Sequence, residues 1–173
     1  MVSNKDAGTI IGRGGATISS IQSKSGARVK VSNSKDYFPG TENRVVAISG
    51  GMPQVSQATL AVLHEVFNDS EAGRSGDANI QTSVDLIIPD MSCGLVIGKG
   101  GENIKALQDR SGARLQLTPK ERQAMGTEER ILAVTGTIAQ VRNAFSNRIC
   151  LVCAAASGCT PATGARAQVT LPL

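Results

Sequence analysis

Two short glycine-rich loops carry the clearest chemical signal in this sequence. They read Gly12-Arg13-Gly14-Gly15 and Gly98-Lys99-Gly100-Gly101. Glycine lets a backbone approach a ligand closely and adopt positive φ without steric cost. A helix that begins after such a loop directs unpaired N–H groups and its positive dipole end at the same place. Together with the cation in each loop, these features suit a phosphate of a sugar-phosphate backbone.

Other phosphate-binding loops do not fit the spacing. A dinucleotide-binding fingerprint needs a third glycine three residues after the second, where Thr17 and Asn103 stand. A Walker loop ends in Gly-Lys-Ser or Gly-Lys-Thr, and neither loop does. One glycine-rich turn alone could equally be a tight turn. Two copies in the same context argue against that interpretation.

A strand that alternates apolar and polar residues follows each loop. Its polar positions are Arg28 and Lys30 in the first case and Arg114 and Gln116 in the second. They could line a groove, and an arginine there can give a base edge a planar, bidentate contact. The floor would be Ile11 and Ile18, or Ile97 and Ile104. The alternatives are a solvated strand face for the polar residues and plain core for the isoleucines.

The loops belong to a repeat. Ala7–Val31 (AGTIIGRGGATISSIQSKSGARVKV) aligns without a gap to Cys93–Leu117 (CGLVIGKGGENIKALQDRSGARLQL), at a constant spacing of 86 residues. That period exceeds the length of ordinary solenoid repeats, so each copy should be a small domain. We predict domains at 1–68 and 81–154, with a polar, glycine-rich linker at 69–80. Residues 155–173, rich in Ala, Thr and Gly, are predicted to be a disordered tail.

Each copy must place its loop between helices. For the second copy the pattern predicts a strand at 84–88, a helical turn at 92–97, the loop, a helix ending near 111–112, strands at 113–117 and 130–134, and a closing helix marked by Ile138, Val141, Phe145 and Ile149. The order is β-α-α-β-β-α. The first copy repeats it, except that the equivalents of the first strand would precede Met1. We therefore expect the first domain to lack most of that strand.

The sequence resembles a known family at these motifs. Ile-Gly-Arg/Lys-Gly-Gly followed by Ser-Gly-Ala-Arg resembles the eukaryotic type I KH domain, and Asp36–Thr41 (DYFPGT) is similar to Nova-type and poly(C)-binding KH proteins. The resemblance implies an α+β fold: two type I KH domains, each a three-stranded antiparallel sheet packed on three helices. It also implies a clamp for about four nucleotides per domain. The sequence departs from the family pattern in two ways. The first copy lacks most of its first strand, and the third KH unit that many relatives carry is absent.

The resemblance implies roles for individual residues. Arg13, Gly14, Lys99 and Gly100 would contact the nucleic-acid backbone, while Arg28 and Arg114 would read bases, selecting pyrimidines and often cytosine. The complete set of predicted RNA-binding residues is Gly8, Ile11, Gly12, Arg13, Gly14, Gly15, Arg28, Lys30, Arg44, Gly94, Ile97, Gly98, Lys99, Gly100, Gly101, Lys105, Arg114, Gln116 and Arg130. The expected partner is single-stranded RNA. Single-stranded DNA, or a KH-mediated association between proteins, is the alternative.

Composition narrows the classes of function that remain. A net charge of +4 permits an anionic partner, while three Phe, one Tyr and no Trp disfavour RNA readers that stack bases on aromatic rings. One histidine, His64, and no recurring nucleophile or carboxylate pair argue against an enzyme. Cys150 and Cys153 lack the further ligands of a zinc site, so we expect no metal or cofactor. The sequence has neither a secretory signal nor a membrane-spanning run, which predicts a nuclear or cytoplasmic protein with no membrane partner.

Overall fold

A computed structural model of the chain describes residues 3–70, 74, 79–119, 128–146 and, for the backbone, 167–171. The first unit contains α1 (Asn4–Ile11), a 3-10 turn (Arg13–Gly15), α2 (Ala16–Ser25), β1 (Arg28–Val31), β2 (Val46–Gly50) and α3 (Met52–Asp69). The second unit contains β3 (Gln81–Pro89), a 3-10 turn (Asp90–Ser92), α4 (Cys93–Ile97), a 3-10 turn (Lys99–Gly101), α5 (Glu102–Ser111), β4 (Arg114–Leu117), β5 (Glu129–Thr137) and α6 (Ile138–Ala144). A further strand, β6, spans Ala167–Leu171. The α+β class and the predicted element order of the second copy are confirmed.

Local signals set the ends of these helices. The Ser3 hydroxyl accepts a hydrogen bond from the Asp6 amide at 3.1 Å and so caps α1. Helices α2 and α5 both end at glycines in the left-handed conformation, Gly26 at φ 69° and Gly112 at φ 70°. The second of these lies where the sequence pattern predicted the helix to end, near residues 111–112. The same chemistry at equivalent positions therefore defines the helix boundaries in both units.

The strands form one antiparallel sheet in the order β1-β2-β6-β3-β5-β4. Each unit accounts for three adjacent strands, and the two halves meet where Ile87 of β3 pairs with Thr170 of β6. The three-stranded antiparallel sheet predicted for each unit is thus continuous with that of the other unit, as one six-stranded sheet. An unpaired strand edge is a ready template for another strand, and at this join one residue pair links the edges of the two halves.

Strand β6 changes two further expectations. It pairs with β2 over five positions, so the place that we expected to be largely empty in the first domain holds a strand. Its residues come from the range that was predicted to be a disordered tail. The other residues of that range, 155–166 and 172–173, lie outside the described residues. The predicted domain and linker boundaries remain predictions.

Alternation along the strands separates two apolar layers. Val84, Leu86 and Ile88 are buried in a core that also contains the helix residues Val62, Leu63 and Phe145. Ile87 belongs to the other layer, where Phe38, from the loop between β1 and β2, packs with Ile87, Val45 and Ile131. The first unit thus contacts the second through both the sheet and this cluster. Within the described residues, no helix is both long and apolar enough to cross a membrane.

Candidate nucleic-acid interface

Both glycine loops have the same backbone geometry. The helix before each loop closes with a 2.8 Å hydrogen bond, from the Gly12 amide to the Gly8 carbonyl and from the Gly98 amide to the Gly94 carbonyl. Three glycines of each loop then adopt positive φ: Gly12, Gly14 and Gly15 at 71°, 60° and 81°, and Gly98, Gly100 and Gly101 at 76°, 62° and 84°. Other residues rarely adopt this conformation. The glycines are thus required by the turn itself.

The first glycine of each loop is also fixed by close packing. A Cβ at Gly12 would lie 2.2 Å from Thr17 Oγ1 and 2.9 Å from the Thr17 amide nitrogen. A Cβ at Gly98 would lie 2.7 Å from Asn103 Cγ and 2.9 Å from the Asn103 amide nitrogen. These distances are too short for real contacts, so a side chain there would push the following helix away. Gly12 and Gly98 hold the loop against that helix.

The third position of each loop faces open space. A Cβ at Gly14 or Gly100 would meet nothing within 4 Å. The adjacent cations, Arg13 and Lys99, are exposed. Helices α2 and α5 begin directly after the loops, and at neither N-terminus does a backbone N–H donate a hydrogen bond to a capping side chain. A phosphate placed here would meet little steric resistance, a positive side chain and the positive end of a helix dipole.

The predicted polar strand positions are confirmed as an exposed row. Arg28 and Lys30 on β1 are exposed around buried Val29, and Arg114 and Gln116 on β4 are exposed around buried Leu115. Ile11 and Ile97 are half-buried. Ile18 and Ile104 are also half-buried and pack against the main core, in agreement with their alternative interpretation as core residues. Lys105 is exposed on α5, and Ser19 occupies its place in the first unit.

Two glutamines that we did not predict fix the loop relative to this row. Gln22 Oε1 accepts from the Val29 amide, and Gln108 Oε1 accepts from the Leu115 amide, both at 3.0 Å. Each bond ties the helix after the loop to the edge strand beside it. The two glutamines are related by the repeat spacing, so their recurrence was a signal that could have identified them. They link the helix that follows each loop to the strand that bears the polar row.

Arg44 and Arg130, also predicted to contact RNA, have their guanidinium groups engaged elsewhere. Arg44 donates from Nε to the Ser32 carbonyl at 2.9 Å, and Arg130 donates from Nε and Nη2 to the Thr118 carbonyl at 2.8 and 2.6 Å. Arg130 also lies 3.5 Å from Asp90. These bonds hold the end of the edge strand to the neighbouring strand. A direct contact of either arginine with RNA remains a prediction.

Other chemistry is sparse among the described residues. His64 is exposed on α3 beside Asn68 and Glu65. No group of three or more His, Cys, Asp or Glu side chains that could hold a metal ion occurs in the described part of the chain. Cys93 is a buried free thiol, and burial raises its pKa. Cys150 and Cys153 lie outside the described residues.

Comparison with known proteins identifies the same two regions. Residues 1–64 and 83–146 each match the KH domain family. The RNA-binding protein Nova-2 of Homo sapiens is 36% identical over 152 residues, which cover 81% of this chain and 31% of that protein. The RNA-binding protein Pasilla of Drosophila melanogaster is 32% identical over 146 residues, covering 79% of this chain and 18% of the relative. The chain thus spans less than a third of the length of either protein.

Proposed function

Because this chain belongs to the KH domain family and carries two KH domains, we propose that it binds single-stranded RNA through its two glycine loops and the grooves beside them. The observation that carries the proposal is the open third position of each loop, at Gly14 and Gly100, next to an exposed cation and the start of a helix. The names of Nova-2 and Pasilla describe RNA-binding proteins. A loop that had abandoned nucleic acid for protein partners would not need a cation in both copies.

The groove beside each loop gives a physical basis for sequence preference. A KH groove accommodates about four nucleotides. Cytosine presents two adjacent acceptors, O2 and N3, on its Watson–Crick edge, whereas the N3 of uracil is a donor. The planar guanidinium of Arg28 or Arg114 can donate to both cytosine acceptors at once. The proposed preference is therefore for pyrimidine-rich strands, and for cytosine at the position that the arginine reads.

The two sites lie at opposite edges of the sheet, because β1 and β4 are its outermost strands. Six strands spaced at about 4.8 Å separate these edges by roughly 24 Å. One RNA can gain avidity from both sites if a spacer joins its two binding segments. Affinity should therefore be greatest when two C-rich tetramers are separated by a spacer, and smaller when they are contiguous.

The proposed role is binding without catalysis. The features that recur between the units are loops, cations and groove residues. His64 lies beside Asn68 and Glu65, and no histidine stands at the equivalent position of the second unit. Recognition of short pyrimidine-rich segments suits post-transcriptional regulation of mRNA, such as splicing, stability or translation. We accordingly propose a site of action in the nucleus or the cytoplasm.

The deciding experiment measures RNA affinity after charge reversal in the second loop. Lys99→Asp with Gly100→Asp places two carboxylates against the phosphate, and aspartate tolerates the left-handed conformation better than most residues. Fluorescence anisotropy with a labelled C-rich RNA should show a loss of about ten-fold or more. Arg142→Asp with Asn143→Asp is the matched control, because it makes the same charge change at two exposed positions of α6.

Each result of this experiment has a definite meaning. A loss confined to the loop variant, with an unchanged circular dichroism spectrum, supports the loop as the phosphate site. Equal losses in both variants would indicate a nonspecific charge effect, and unchanged binding would contradict the assignment of the second loop. Adding Arg13→Asp with Gly14→Asp should remove the remaining affinity. The same oligonucleotide as DNA shows whether the groove distinguishes the 2′-hydroxyl.

A further inference from the structure

The edge of β2 is completed by a segment from the far end of the chain. In the second unit, β3 pairs antiparallel with β5, placing Val84 opposite Val134 and Leu86 opposite Leu132. In the first unit, β6 pairs antiparallel with β2, placing Val169 opposite Ile48 and Leu171 opposite Val46. Ile48 and Val46 stand one repeat spacing of 86 residues before Val134 and Leu132. Strand β6 therefore occupies in the first unit the place that β3 occupies in the second.

The two strands also agree in sequence pattern. Val-Asp-Leu of β3 and Val-Thr-Leu of β6 hold the same register positions, with an apolar residue at each alternate place. In β3 these apolar residues, Val84 and Leu86, are fully buried. On β2, Ile48 and Val46, which pair with Val169 and Leu171 of β6, are also fully buried. A one-residue slip would reverse the faces of the strand, so the observed register is the one that matches apolar to buried positions.

The connection is long enough for this arrangement within one chain. Twenty-two residues separate the end of α6 from the start of β6, which gives an upper reach of about 70 Å. That exceeds the roughly 24 Å width of the six-stranded sheet. On its other side β6 meets β3, since Thr170 pairs with Ile87. Strand β6 thus lies between β2 of the first unit and β3 of the second unit.

We propose that residues 167–171 are an intramolecular complementing strand, and that the first glycine loop binds RNA only while this strand is paired with β2. The dependence on RNA rests on the proposed function, whereas the strand assignment does not. Strand β2 carries β1 on its other edge, and β1 bears Arg28 and Lys30. Loss of β6 would expose the β2 edge and the core beneath it, and the groove formed by β1 would lose its support.

The test uses the full chain with Val169→Asp and Leu171→Asp. Gln168→Asp with Thr170→Asp is the matched control: it adds the same charge at the alternate register positions, and the second unit already has Asp85 at the equivalent of Thr170. Hydrogen exchange should quicken by about ten-fold or more across Val46–Gly50 in the first variant and by much less in the control, whose carboxylates replace polar side chains. Strand β5 should remain protected in both, showing that the second unit is folded.

RNA binding is then measured with the second loop silenced by Lys99→Asp and Gly100→Asp. We expect Val169→Asp with Leu171→Asp to reduce the remaining affinity by about ten-fold or more, and the control to retain it. Unchanged exchange at Val46–Gly50 would overturn the proposal, as would loss of protection in β5. Protection that disappears on dilution, with a dimeric mass at high concentration, would assign the strand to a second copy instead. If exchange responds but the unmodified chain binds no RNA, the strand assignment is supported and the proposed function fails.

Discussion

The two units present the same glycine loop on frameworks that obtain one strand from different parts of the chain. In the second unit β3 precedes its loop in the chain and pairs with β5 over nine positions. In the first unit β6 follows everything else and pairs with β2 over five. Loop φ angles nevertheless agree within a few degrees between Gly12 and Gly98, and between Gly14 and Gly100. Local packing therefore sets the loop geometry, while the more distant strand supports the sheet beneath it.

The largest predicted effect tests whether loop packing is equivalent in the two units. Gly98→Ala forces a Cβ to within 2.9 Å of the Asn103 amide nitrogen at φ 76°, and should destabilise the second unit by about 2–4 kcal/mol. Gly12→Ala should destabilise the first unit similarly, since Thr17 is as close. Urea unfolding combined with hydrogen exchange assigns each loss to a unit. Gly100→Ala is the control, with strain only from φ and a cost of about 1–2 kcal/mol. Equal costs for Gly98→Ala and Gly100→Ala would contradict the packing argument.

The next prediction uses a difference between Arg44 and Arg130, which hold equivalent positions in the two units. Arg130 lies 3.5 Å from Asp90 as well as donating to the Thr118 carbonyl, whereas the equivalent of Asp90 in the first unit is the uncharged Asn4. Arg130→Gln should therefore cost about 1–3 kcal/mol of stability, and more than Arg44→Gln. Thermal unfolding at two salt concentrations measures this, because added salt weakens the ion pair. Reduced RNA affinity with unchanged stability would instead favour direct contact with RNA.

A smaller effect is expected at the arginines of the groove. Arg114→Lys keeps the charge but removes the planar fork, so affinity for a C-rich RNA should fall by about five- to ten-fold. The preference for cytosine over uracil should fall with it. The measurement requires the first loop to be silenced, and Arg28→Lys with the second loop silenced is the parallel experiment. An unchanged preference in both variants would remove the arginines from base reading.

The repeat made the loop and the neighbouring strand predictable, because both depend on short-range patterns. Glycine spacing, alternation at Arg114 and Gln116, and the cap at Gly112 all act within a few residues. Recurrence of arginine also suggested that Arg44 and Arg130 contact RNA, but recurrence is equally produced by a structural bond to a carbonyl. Only the three-dimensional contacts distinguish these two explanations.

Strand β6 could not be predicted in the same way. Five alternating residues in a background of Ala, Thr and Gly give a weak strand signal, and a strand is stabilised mainly by its partner. That partner, β2, lies more than 100 residues earlier in the chain. The comparison of Val169 and Leu171 with Val84 and Leu86 becomes informative once the register is known. The order of segments along the chain does not determine which strand completes which unit.

The smallest predicted effect concerns one register position at which the two strands differ. Asp85 holds this position in β3, and Thr170 holds it in β6. Burial raises the pKa of the Asp85 carboxyl above its ordinary value of 3.8. The folded chain therefore holds this proton more tightly than the unfolded chain, and stability is lost as pH rises through the folded pKa. The loss is complete once the pH is above the folded pKa, and Asp85→Asn removes it. The melting temperature of the variant should exceed that of the parent chain at pH 7, and the difference should disappear below about pH 3.8. A difference that is constant with pH would show that desolvation of the carboxylate is not its cause.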